Sequence, residues 1–168
     1  MNTENNLEKL KTAMHDGLIF NYEKNGYLAP AMFFLKTNGD LMLRLIPSFF
    51  LSHIEGKKLI SSFIRNMCSS SDIIAAGMVI EAYAKTYNVN ENIAERELVE
   101  LGKIRLSDSR IENKLDVIVL TVSTPEKTEV LTYPVDVKNK KVLVNEIQKD
   151  NNNQSGIFVD CFVWEKHQ

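Results

Sequence analysis

The chain has 168 residues, 44% of them hydrophobic and 25% charged, a size and balance that support one domain with its own core and exclude disorder. Its formal net charge of −2 supplies no overall basic field, which argues against nucleic acid or an anionic membrane surface as partner. No apolar run approaches the roughly 18 residues of a membrane span. The polar, acidic opening also lacks the basic-then-apolar pattern of a signal peptide, so a cytoplasmic protein is expected.

The first predicted element is an amphipathic helix over 3–16. Leu7, Leu10 and Met14 fall on one face, and Gly17 stands where a helix stop belongs. A hairpin follows, with strands at 31–37 and 40–46 bracketed by Pro30 and Pro47 and joined through Asn38-Gly39, the pair that tolerates positive φ. Ser52-His53-Ile54-Glu55 has the S-x-x-E spacing of a capping box. It opens a helix whose apolar positions are Leu59, Ile60, Phe63, Ile64 and Met67.

Residues 73–87, IIAAGMVIEAYAKTY, form an apolar run broken by Glu81. Read as a strand, they place Ile74, Ala76, Met78, Ile80, Ala82 and Ala84 on one face in the core. Glu81, Tyr83 and Lys85 then share the other face. Read as a helix, Glu81 and Lys85 make an i,i+4 ion pair. The strand reading is preferred. Residues 93–101 carry three glutamates and read as a short helix or an acidic loop.

The last third is β-rich, with strands predicted at 115–124, 128–136, 141–145 and 156–165. Pro134 cannot donate to a ladder, which marks its strand as an edge or a bulge and mildly favours a monomer. Tight turns between successive strands require antiparallel pairing. The expected fold class is therefore α+β, a single antiparallel sheet of about five to seven strands with two or three helices packed on one face.

No recognised catalytic motif is present. Cys68 and Cys161 form no CxxC pair, and His15, His53 and His167 have no metal-ligand spacing. No cofactor is implied. The acids at strand positions, Glu81, Asp116 and Asp160, carry the enzymatic alternative, because three converging carboxylates can hold a divalent ion for phosphoryl hydrolysis. The leading expectation is instead a small binding or interaction module with a protein partner. Tyr83, Lys85, Ser107 and Arg110 are its candidate binding residues.

The order of features resembles a widespread set of uncharacterised bacterial and phage-associated proteins. In these a strand ends in an acid followed by an aromatic, and a loop containing serine and arginine leads into the next strand. The matching positions are Glu81 with Tyr83, Ser107 or Ser109, Arg110, Glu112 and Asp116. The resemblance implies an α+β fold and a mobile-element setting, and it confers no activity.

Overall fold

The computed structural model describes residues 3–85, 90, 92–101 and 103–150. The described elements are α1 (Thr3–Asn25), β1 (Ala31–Lys36), β2 (Leu41–Leu45), α2 (Ser48–Ser52) and α3 (Ile54–Cys68), followed by β3 (Ile73–Ala84) and α4 (Ile93–Glu100). β4 (Leu115–Ser123), β5 (Thr128–Asp136), β6 (Lys141–Val142) and β7 (Gln148–Asp150) complete them. The strands form one antiparallel sheet in the order β2-β1-β3-β4-β5-β6, with β7 also on β5, and the sheet curls into a half-barrel. The α+β class is as the sequence predicts. The predicted strand over 156–165, and Asp160 and Cys161 with it, lie outside the described residues.

The helices do not share a face. Leu10, Leu18 and Tyr22 of α1 pack with Phe33, Leu35, Val79, Ile118, Leu120 and Tyr133 on one side of the sheet. Ile60, Ile64 and Cys68 of α3 pack with Met32, Phe34, Ala76 and Met78 on the other. Alternation explains the division, since Phe33 and Phe34 are neighbours on β1 and point to opposite sides. Apolar residues at both parities of β1 and β3 need a cover on each face.

α1 runs nine residues past its predicted end. Leu10, Met14, Leu18 and Tyr22 continue one stripe at intervals of four, and burial of that stripe outweighs the weak helix propensity of Gly17. The actual stop is Gly26, at φ +75, whose N–H bonds the Tyr22 carbonyl at 2.7 Å. A Cβ at Gly17 would meet nothing within 4 Å. Gly17→Ala is therefore expected to raise stability by about 1 kcal/mol, and a lower urea midpoint would contradict this account of the helix.

The hairpin forms with a different turn from the one Asn-Gly alone suggests. Gly39 takes φ +90, its N–H bonds the Lys36 carbonyl at 3.0 Å, and Lys36 N–H bonds the Asp40 carbonyl at 2.9 Å. The result is a turn closed by a left-handed glycine bulge. Asn38 stays at negative φ, and its side-chain oxygen accepts from the Asp40 N–H.

The capping box is not made. Ser52 ends α2, its hydroxyl donating to the Phe49 carbonyl at 2.7 Å, and α3 begins after an uncapped His53. The buried stripe of α3 is Gly56, Ile60, Ile64 and Cys68, which leaves Leu59 and Phe63 exposed. Gly56 belongs to that stripe because α2 lies against it, the Phe50 carbonyl only 2.3 Å from where a Cβ would stand.

Residues 73–84 are a strand. Its first half is covered on both faces, and from Ile80 onward both faces loosen, so neither face lies wholly in the core. Pro134 sits on β5, whose outer side is taken by β6 and β7, and it guards no free edge. Its carbonyl accepts from Leu143 N–H at 2.8 Å on that outer side. The missing N–H therefore also falls there, between the two short strands, and leaves the β4–β5 ladder intact.

Candidate functional site

The loosened end of β3 opens onto a pocket of about 1010 Å³. Four consecutive strand residues line it, Ile80, Glu81, Ala82 and Tyr83. Neighbours on a strand point to opposite faces, so a pocket touched by all four abuts the edge of the strand. Tyr22, Gly26 and Tyr27 close one wall from the end of α1, while Leu51, Ser52 and Lys57 close another from α2 and α3. The loop before β4 contributes Ile104, Arg105, Leu106 and Ser107, and β4 itself contributes Asp116 and Val117.

Register brings the two acids together. Glu81 pairs with Ile118 and Tyr83 with Asp116, so Glu81 and Asp116 are diagonal neighbours on the α1 face, about 7–8 Å apart at the backbone by the usual sheet spacing. Burial raises the Glu81 pKa, the Leu28 N–H donating to its Oε1 at 3.2 Å lowers it, and the charge of Asp116 raises it again. The net direction is upward. The Tyr22 hydroxyl is pushed up by burial and then by the charges of Glu81, Asp116 and Asp136. Among the described residues, no lysine or arginine forms an ion pair with Glu81 or Asp116.

The loop is fastened to the strand by Lys114. Its ammonium donates to the carbonyls of Leu106 and Asp108, both at 3.0 Å, and lies 4.6 Å from the centre of the Tyr83 ring. That cation–π contact places the serine- and arginine-bearing loop against the end of β3. Arg105 ties the same loop to the end of α2 through the Ser52 carbonyl at 3.1 Å.

Of the residues singled out in the sequence, the pocket gathers Glu81, Tyr83, Ser107 and Asp116. Lys85 is not among its lining and pairs with Glu95 of α4 at 2.5 Å. Arg110 points away, exposed and paired with Asp108 at 2.7 Å, and it holds that carboxyl well below the usual range. Ser109 and Glu112 are exposed outside the pocket. For the metal alternative, Glu81 and Asp116 supply two carboxylates. No group of three His, Cys, Asp or Glu placed to hold an ion occurs among the described residues.

Tyr22, Tyr27, Lys57 and Arg105 were not signalled as site residues. Tyr22 was within reach, because the i+4 spacing from Met14 through Leu18 leads to it once Gly17 is read as part of the helix. Nothing in the sequence places Lys57 or Arg105 at the same opening.

No family model, curated protein or solved structure matches the chain. No helix among the described residues is long and apolar enough to cross a membrane.

Proposed function

We propose that this protein is a non-catalytic binding module whose ligand presents a positive charge to the pocket at the end of β3. The observation that carries the reading is the Glu81–Asp116 pair. Among the described residues, two carboxylates share one face without an ion pair, Tyr22, Tyr27 and Tyr83 line the same pocket, and partial desolvation with the neighbouring Asp116 charge raises the pKa of Glu81. An incoming cation relieves that repulsion and finds the exposed Tyr27 ring beside it, the Tyr83 ring already carrying Lys114. An acid with a raised pKa in a cleft is a candidate for a site, and the volume suits a ligand of moderate size. The mobile-element setting is carried only by the resemblance of the loop residues.

Glu81→Gln tests the proposal with two readouts of opposite sign. An acid with a raised folded pKa weakens the fold above that pKa, and the penalty fades as pH falls through it. The glutamine can still accept from Leu28 N–H. At neutral pH the variant should therefore be at least as stable as the parent, yet lose the thermal shift produced by arginine amide or spermidine. Loss of stability with unchanged ligand response would make Glu81 a structural residue. A shift given by Mn²⁺ or Mg²⁺ and by no organic cation would favour the metal-assisted hydrolase using Glu81, Asp116 and Asp160.

A further inference from the structure

The pocket borders a strand edge that no described strand covers. β1 pairs with β3 only as far as Ala31 opposite Val79, while β4 continues along the other side of β3 to Ala84. Among the described residues, 80–84 thus have a strand on one side only. The cause is local: before Ala31 the chain leaves the ladder for the α1 face, where Leu28 is buried and its N–H is taken by the Glu81 side chain.

The alternation of the ladder identifies the vacant groups. Ile46 N–H bonds the Pro30 carbonyl at 2.8 Å and Lys36 N–H bonds the Asp40 carbonyl at 2.9 Å, so even-numbered residues of β1 face β2. Odd-numbered ones face β3, as Thr37 N–H bonding the Asp72 carbonyl at 2.8 Å also shows. Ala31 and Phe33 therefore bond Val79 and Gly77, and the same parity along β3 turns the N–H and C=O of Glu81 and Tyr83 toward the pocket. No described backbone group outside the strands bonds these four.

We infer that the ligand is an extended segment of a partner protein that adds a strand to the free edge of β3 at residues 80–84. The inference rests on the proposed binding role of the same pocket. The unpaired main-chain groups call for a peptide backbone, and side-chain chemistry sets its sequence. On the α1 face an added residue meets Glu81 and Asp116, whose carboxylates select lysine or arginine. On the opposite face it meets Ile80, Ala82 and Val117, with Lys57 and Arg105 at the rim. Those two cations repel a second basic residue and select an apolar one. The fitting partner alternates basic and apolar residues over about five positions.

A fluorescent hexapeptide alternating lysine and valine, titrated into the 168-residue chain, tests this. It should bind at least tenfold more tightly than the same peptide N-methylated on the edge that faces β3, and Glu81→Gln should weaken it at least tenfold. Equal binding of the methylated peptide overturns strand addition while leaving a cation pocket intact. Failure of both peptides together with small amines overturns the binding reading as well. Tighter binding of a glutamate–valine peptide overturns the charge assignment. In Ala82→Cys the new thiol should remain open to alkylation. A disulfide from it to Cys161 would make residues 156–165 of the same chain the occupant, and one between two chains would make it a second copy, either of which overturns the proposal.

Discussion

Replacing Gly77 with alanine should lower the stability of this protein by about 3 kcal/mol or more, an effect at the upper end for so small a change. Gly77 lies in the middle of β3, between Phe33 of β1 and Val122 of β4. A Cβ there would stand 2.0 Å from the Thr121 carbonyl oxygen and 2.3 Å from Cζ of Phe33. The ring could give way only by leaving a site where it is fully buried. The carbonyl belongs to the central strand and could move only by disturbing the β3–β4 ladder, which carries the pocket. Urea unfolding should show a lower midpoint with an unchanged slope. Adding Phe33→Leu should recover only part of the loss, because the contact with the carbonyl persists. A Gly77→Ala protein as stable as the parent would mean that β3 and β4 do not approach as described.

The second large effect is expected at Glu129, an acid with only 2% of its surface exposed. Burial alone would raise its pKa. Hydrogen bonds from Lys127 and Lys11, with their charges, outweigh that and hold it down to about 2. The contacts are 2.6 Å to Lys127 and 3.0 Å to Lys11, with Lys149 at 3.6 Å. The cluster joins α1, β5 and β7. A depressed carboxylate stabilises the fold fully above its unfolded value, near 4.5, and the contribution is lost as pH falls from there through about 2. The displacement corresponds to roughly 3 kcal/mol. Glu129→Gln should therefore cost about 2–3 kcal/mol at pH 7 and flatten the fall in stability between pH 4.5 and 2. Chemical denaturation at a series of pH values measures both. An unchanged acid limb in the variant would show that other carboxylates govern acid unfolding.

These two residues show what could be read in advance and what could not. The hairpin was legible because its turn residues and its two apolar runs are contiguous. β4 and β5 were legible for the same reason, and Glu81 was correctly placed on a strand shared with Tyr83. Gly77 gave no sign of its importance, since the atoms that exclude a Cβ come from residues 33 and 121. Glu129 reads as an ordinary polar residue until Lys11 arrives from the first helix. At Gly17 local propensity predicts a helix stop, whereas burial of Leu18 and Tyr22 carries α1 on to Asn25.

The pocket divides in the same manner. Its acids, Tyr83 and Ser107 stand out along the chain, each in a short motif. Their meeting depends on register. Pairing Tyr83 with Asp116 puts Glu81 and Asp116 on one face, and a slip by one residue would have sent Asp116 to the α3 side. Lys85 and Arg110 look equally suited to the site in sequence, but each is drawn off by a nearer acid, Glu95 and Asp108. The α+β class, most strand positions and the polar break at Glu81 are legible along the chain, because periodicity and turn chemistry are local. That helices cover both faces, that β1 stops short of residues 80–84, and that two carboxylates without an ion pair among the described residues face a pocket beside them follows from long-range packing alone. Those outcomes depend on contacts between residues dozens of positions apart, whose energies no local pattern records.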